Sequence, residues 1–476
     1  MPTTAIVWFR RDLRVDDNPA LLHACTHYER IIPVCLHVIA TENTSAAPRA
    51  ASVWRHYALQ ALSRQLQSLG SDLIVRQTDN ALAGLRQLIR ETNAHAVFWN
   101  RLYEPDAIKI DGNIKQTLRA HGLTVKSFNG SLLYEPWALR TQHGKPFRVF
   151  TPFWQRLLHS LGVNGAAAAV RALPAPDALP PIPHRLRSLQ RPDYTPYPHT
   201  LAPHWTPTPA GAEQRIAQLH DRLQHYETQR DLPALDATSC LSPYLHCGQI
   251  SPRQILAALP LTLPGCEPFI RELAWREFSH HVLFHFPHTA HHPMDTRFEH
   301  FPWRHPSDHA DQLHAWRTGQ TGIPLVDAGM RQLSATGWMH NRVRMVVASL
   351  LTKNLLIDWR IGAAWFMDSL VDADLAQNTL GWQWTAGCGV DAAPYFRVFN
   401  PTLQSQKFDA QGDYIKTWVP ELAKLPATAL HAPWQAHAAL SGAGLRPGID
   451  YPNPIVDLRQ SRQRALSAYE RIKAIR

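Results

Sequence analysis

Four clusters of side chains in this chain are equipped for chemistry. Along the helical stretch Pro268–Phe284, Glu272, Trp275, Arg276 and Glu277 lie on one helix. Glu272 and Trp275 stand at i and i+3 and share a face, and Arg276 follows Glu272 at i+4, where an ion pair is the simplest use. A carboxyl group beside an indole could instead grip a nucleobase by hydrogen bond and stacking. The second cluster is Gly337–Met345, in which Trp338, Asn341, Arg342 and Met345 fall at helical spacing on one face. A purely buried face would not choose Asn and Arg, because unpaired polar groups are costly to bury. Its arginines suit phosphate, or one of them suits an acid, and Asp372-Ala373-Asp374 supplies acids. That third cluster continues through Asn378 and Trp382, each at i+4 from the one before, so acid, amide and indole line one path. The fourth is Leu235–Pro243, with Thr238, Ser239 and Ser242 clustered at a helix start and Pro243 just inside. Such hydroxyls cap free amides, and the same arrangement can cradle a phosphate.

These residues need elements to hold them. The chain has 476 residues, enough for two or three domains, and 45% of them are hydrophobic. Over the first ~130 residues, apolar runs alternate with amphipathic stretches in the rhythm of a doubly wound sheet. Ala5–Phe9, Ile31–Val38, Leu73–Val75 and Ala96–Trp99 read as buried parallel strands, and Ser52–Leu69 and Ala81–Glu91 as helices. The first strand is followed by Arg10-Arg11-Asp12 and not by GxGxxG, so the domain is no standard dinucleotide binder. From Leu173 to Pro209 prolines are dense, which excludes regular helix or sheet and marks a connector; Ala166–Ala169 before it ends a helix. After Ala212, helical periods recur at Arg215–Tyr226, Pro252–Leu259, Pro268–Phe284, Pro324–Thr336, Asn341–Leu356 and Gly362–Ser369. The expected organisation is an α/β doubly wound parallel-sheet domain at 1–130, a connector at 131–210 and an all-α domain at 211–476.

Composition narrows the function. A net charge of +10 favours a polyanionic partner without identifying it. The six cysteines are scattered without a CxxC pair, and the 27 histidines lack ligand spacing backed by acids, so no metal is expected. No apolar run is long enough to span a membrane. The opening apolar run is too short for a signal peptide and its charges follow it, so a cytoplasmic protein is expected. Of 16 tryptophans, seven fall between Trp303 and Trp384.

Taken together, the motifs resemble the DNA photolyase/cryptochrome family, and within it the class I cyclobutane pyrimidine dimer photolyases. The resemblance rests on Val7-Trp8-Phe9-Arg10-Arg11-Asp12-Leu13-Arg14, Thr321–Met330, the Glu272–Met345 segments, Asp372–Trp384 and Asp391–Pro401, and it runs over essentially the whole chain. It implies an α/β antenna domain and a helical domain that binds FAD, active as FADH⁻. Carried over by motif, FAD would contact Tyr226, Thr238, Ser239, Leu241, Ser242, Arg276, Trp338, Asn341, Arg344, Asp372, Asp374 and Asn378, with Cys240 and Phe269 at its edge. Asn378 would face flavin N5, with an Arg344–Asp372 pair beside the ring. The lesion pocket would use Glu272, Trp275, Asn341, Met345 and Trp384, while Arg230, Arg342 and Gln404 hold DNA. Trp382, Trp359 and Trp303 would form an electron-transfer chain, with Trp316 as a substitute donor at the surface.

The resemblance further implies a monomer acting on DNA that contains pyrimidine dimers. Light drives an electron from FADH⁻ to the flipped-out dimer, two intradimer bonds break, and the electron returns. The rival readings are a cryptochrome photoreceptor and a (6-4) photolyase. Plant-type photoreceptors usually carry Asp where this chain has Asn378, animal-type ones Cys, and (6-4) enzymes a second His where it has Met345. Phe269 and Cys240 depart from relatives that have Trp and Arg. Asn100–Pro105 resembles the antenna loop, yet Asp106-Ala107 departs from the folate pattern, leaving folate, deazaflavin or another chromophore open.

Overall fold

The computed structural model describes residues 3–38, 49–162, 172–182, 204–260, 262–391 and 396–473. These residues form two compact units. One comprises Met1–Leu223 and Ser239–Pro287, the other Gln224–Thr238 and His288–Arg476.

The first unit is built on a five-stranded parallel sheet. Its strands are β1 (Thr4–Phe9), β2 (Arg30–Val38), β3 (Ile74–Thr78), β4 (Ala96–Asn100) and β5 (Thr124–Phe128), in the order β3-β2-β1-β4-β5. All the pairings are parallel, with Ile6 opposite Ile32 on one side and Val97 on the other. Every residue of β1 and β4 is buried, as expected of strands covered on both faces. Helices Pro19–His27, Arg49–Ser68, Ala81–Thr92 and Pro105–Ala120 cross between strands. Strand order reverses between β1 and β4, which places the Arg10–Arg14 and Arg101–Pro105 turns at the switch point. β5 escaped the sequence pattern because Thr124-Val125-Lys126-Ser127-Phe128 is an edge strand with exposed Thr124 and Lys126 and a polar residue, Ser127, at one of its buried positions.

Outside the sheet the structure is helical, and several sequence boundaries need correction. Arg215–Tyr226 is not one helix. It breaks into the end of Pro209–Ala217, then Leu219–Leu223, and Tyr226–Gln229 begins after His225 leaves helical geometry at φ −122° and ψ 13°. Pro324–Thr336 stands as expected and ends at Gly337 with φ +68°. The expected Asn341–Leu356 helix is regular only to Ser349. A π-helical turn then covers Leu350–Asn354, and Leu356 takes a left-handed φ of +54°. Helices at Ala310–Thr318, Leu375–Ala386, Pro401–Phe408 and Leu458–Lys473 agree with the expected all-α region but had no individual span in the sequence pattern. The last of these buries only Ser461, Ala465, Ala468 and Ile472, a stripe of mostly small residues that hydrophobicity does not flag. Ala166–Ala169 and most of the proline-rich stretch lie outside the described residues.

Candidate functional site

In the first unit, the helix Cys266–His285 carries Phe269, Glu272, Trp275 and Arg276. Trp275 is held rigidly by stacking on Phe150, with ring centroids 3.6 Å apart and planes 6° from parallel. Arg276 is buried; its Nη1 donates to Ser131 O at 2.7 Å and lies 3.5 Å from Glu277 Oε1. Its Nε and Nη2 make no hydrogen bond among the described residues, so a nearly buried cation keeps donors in reserve for an anion. Glu277, whose role local spacing does not indicate, accepts from the backbone N–H groups of Leu133 at 2.9 Å and Tyr134 at 3.3 Å. Burial pushes its carboxyl up to about 7, against the pull of Arg276 and His280.

The hydroxyl cluster does not cap a helix as expected. The helix there is Ser242–Cys247, and its N-cap is Leu241, which offers no side-chain cap bond. Ser239 Oγ accepts from Leu241 N at 3.3 Å, one turn too early, and Cys240 bends the chain through φ +51°.

In the second unit the path from Asp372 to Trp382 is present. Arg344 donates from Nη2 to Asp372 at 2.9 Å and from Nε to Met339 O at 2.7 Å, so its guanidinium is fixed from two sides. Asp374 is the N-cap of Leu375–Ala386, accepting from Gln377 N at 2.9 Å. One turn later, Asn378 donates Nδ2–H to Ala363 O at 2.9 Å. Its Oδ1 makes no hydrogen bond among the described residues, which leaves an oriented acceptor. Trp338 is not on a helix face with Asn341; it sits in the link before His340, whose Nδ1 accepts Arg342 N and caps Asn341–Ser349. Asn341 is exposed and Met345 half-buried. Arg342 pairs with Asp231 and lies over the Phe408 ring at 4.3 Å, and Arg230 lies over Tyr226 at 5.4 Å. Gln404 has a buried Oε1 without a partner among the described residues.

The tryptophans differ in setting. Trp382 is buried with its edge against Phe366, centroids 5.0 Å apart. Gly362 makes that approach possible, since a Cβ there would stand 2.1 Å from Trp382 Cη2. Trp359 is buried at the start of Trp359–Ser369, and Trp303 is half-buried beside Phe301 at 4.4 Å. Trp316 corrects the sequence reading: it is fully buried and donates Nε1–H to Val347 O at 3.0 Å, so it is no surface donor. It lies 6.2 Å from Trp382. Trp384 lines a partly open cleft of about 430 Å³ with Lys353, Thr385, Gly387, Phe396, Arg397, Phe399 and Tyr469. Lys353 escaped notice, although a single charge inside Val346–Ile357 was a signal.

At the switch point, Arg10 donates to both oxygens of Asp111, at 2.8 and 3.0 Å, and to Asn100 O at 2.6 Å. In the antenna-like loop, Arg101 and Tyr103 both bond Glu135, and Arg11 pairs with Glu104. Among the described residues no group of His, Cys, Asp or Glu is arranged to hold a metal, and no helix is long and apolar enough to cross a membrane.

Residues 5–177 match the family model for DNA photolyase, and residues 269–471 that for the FAD binding domain of DNA photolyase. The chain is 45% identical to a deoxyribodipyrimidine photo-lyase of Agrobacterium fabrum over 98% of both chains. It is 37% identical to cryptochrome-2 of Arabidopsis thaliana over 99% of this chain and 80% of that protein. A class III photolyase from Agrobacterium tumefaciens superposes with a TM-score of 0.90 at 43% identity, over 99% of this chain and 98% of that one. The motif resemblance is to class I, whereas that structure is described as class III.

Proposed function

Because this chain belongs to the DNA photolyase and cryptochrome family, we propose that it is a light-driven DNA repair enzyme that splits cyclobutane pyrimidine dimers with reduced FAD. FAD, when bound, supplies the photoexcited electron donor. By family motif FAD contacts both Arg276, which within its own unit keeps two nitrogens in reserve for an anion, and Asn378, which within its own unit keeps a hydrogen-bond acceptor. Arg344, clamped between Asp372 and Met339 O, places a positive charge that offsets negative charge on the ring. Tyr226, Thr238, Ser239, Leu241, Ser242, Phe269, Trp338, Asn341 and Asp374 complete the contacts by family motif.

A dimer must leave the stack to reach such a cofactor, a property known of photolyases as a class, and a lesion that already pairs poorly leaves cheaply. By family motif Trp275 and Trp384 both belong to the lesion pocket, where an indole offers a base an apolar face. By family motif Glu272 meets the edge of the flipped bases and engages them by hydrogen bond. Asn378 carries the choice over the photoreceptor reading, since it is neither Asp nor Cys, and Met345 opposes the (6-4) reading.

The test is illumination of flavin-loaded protein, under reducing conditions, with an oligonucleotide containing one thymine dimer. Restored thymines in the light and none in the dark are expected. Dimer binding without light-dependent restoration overturns the repair reading in favour of a sensor, and restoration of (6-4) lesions alone overturns the substrate. The spectrum of chromophores released from the purified protein identifies any antenna.

A further inference from the structure

We propose that Lys353 is a positioning residue for the wall formed by Trp384 and the Phe396–Phe399 segment, and that its charge state sets how firmly that wall grips dimer-containing DNA. This inference rests on the repair reading, which assigns Trp384 to the lesion pocket.

The starting point is an irregular turn. At Leu350–Asn354 the helix that began at Asn341 widens, and Leu355 N–H bonds to Leu350 O, five residues back, at 2.9 Å. Such π-turns are rare and frequent at functional sites, because the inserted residue redirects the side chains around it. Here the turn is wholly buried and contains a lysine. Lys353 is 3% exposed. No carboxylate pairs with it among the described residues, an expensive arrangement for a cation. Its Nζ instead donates to Arg397 O and lies 4.2 Å from the centre of the Phe396 ring. Ser349, one turn earlier, accepts Phe399 N–H at 3.2 Å. Two groups of one helical run therefore tie down the same segment, and that segment shares the cleft with Trp384.

Among the described residues the groups facing the amine are few. Arg397 comes from the segment, the Cys388 thiol from the turn after Leu375–Ala386, and Tyr469 from Leu458–Lys473; Arg464 of that last helix bonds Asn354 O. Burial pulls Lys353 down to about 7, Cys388 opposes that pull, and Arg397 adds to it. The tie to Arg397 O is thus charge-assisted below neutrality and becomes an ordinary, weaker amine bond above it.

The experiment measures dark binding of a single-dimer oligonucleotide by flavin-loaded protein from pH 6 to 9 at constant ionic strength. Wild-type affinity should fall roughly tenfold across that range, the scale of one charge-assisted hydrogen bond. Lys353→Met should bind weakly at every pH, and Lys353→Arg should keep its affinity to pH 9. Flavin content reports folding. Should Lys353→Met lose flavin, NMR of ¹³Cε-labelled lysine in the wild type keeps the test open, with the resonance assigned by Lys353→Arg. A lysine that titrates near neutrality and shifts on adding dimer DNA supports the proposal. Lys353→Met with the wild-type profile, or no such lysine, overturns it. A wild type that does not prefer dimer DNA at any pH overturns the repair reading itself, a separate and recognisable failure.

Discussion

Glu272 and Trp382 sit in different units, and each makes a prediction that a purely structural residue would not. Glu272 is half-buried on the same helix as Trp275, whose ring is immobilised against Phe150. If its carboxyl group meets the lesion and not the flavin, Glu272→Ala should lower repair yield and dimer affinity together while flavin content stays at the wild-type level. Loss of flavin in that variant would return Glu272 to a structural role. Trp382 is buried, and its replacement by Phe costs on the order of 1 kcal/mol if it only packs. As the first member of an electron chain it has another signature. Trp382→Phe should nearly abolish photoreduction of oxidised flavin, while chemically reduced enzyme still repairs dimers under light. Trp303→Phe should behave alike. Trp316 cannot rescue it from the surface, because it is fully buried with its N–H committed to Val347 O. Wild-type photoreduction in Trp382→Phe rejects the chain.

At the scale of elements, the helix Cys266–His285 shows how a functional face is held, and it predicts a pH response. His281 is buried on it, with Nδ1 3.0 Å from Pro136 O and Nε2 2.9 Å from Phe147 N. A carbonyl can only accept and an amide can only donate, so Nδ1 carries the proton and the ring must be neutral. Burial is the main reason the imidazole is pulled from 6.5 to about 4, and His285 adds to it. The unfolded chain binds this proton first as pH falls, so the clasp contributes fully above about 6.5 and is lost progressively toward 4, by up to about 3 kcal/mol. Hydrogen exchange at the Phe147 amide, corrected for its intrinsic pH dependence, should accelerate between pH 7 and 5 in wild type. In His281→Gln it should show no such change. Equal profiles would remove His281 from this role. Elements of this kind also mark what the sequence could reveal. The buried strands β1, β2 and β4 were legible as short continuous apolar runs, and the helix Pro324–Thr336 by its helical period. β5 and Leu458–Lys473 were not, since they bury alternate or small residues. Residue types announced that an arginine of Gly337–Met345 could pair with an acid of Asp372–Asp374, and the family resemblance named Arg344 and Asp372. The Glu277 and Lys353 contacts were not, because both depend on backbone groups far along the chain, Leu133 and Arg397, that no local spacing announces.

Over the whole molecule the relevant quantity is charge. Lys and Arg number 48 against 38 Asp and Glu, a net of +10 before any histidine is protonated. Affinity for a polyanion then divides into two parts that salt separates. Contacts to phosphate release counterions, so log affinity falls with log salt with a slope of about −0.9 per phosphate on duplex and about −0.7 on single strands. A footprint of about five phosphates gives a slope of about −4.5, and raising salt from 50 to 200 mM weakens duplex binding by roughly 500-fold. Glu272 and Trp275 would act on the lesion bases, not on phosphate, so Glu272→Ala should shift the whole line down without changing its slope. Arg342 behaves in the opposite way if it reaches the backbone. In the structure its guanidinium is engaged by Asp231 and rests on Phe408, so it must exchange one anion for another to hold DNA. Arg342→Ala should reduce the slope by about one and weaken dimer-containing and undamaged DNA alike. If the slope stays the same in Arg342→Ala, the arginine remains with Asp231 and serves the fold. If wild-type binding to dimer DNA is unchanged from 50 to 200 mM, the positive charge of this chain is not directed at a nucleic acid backbone.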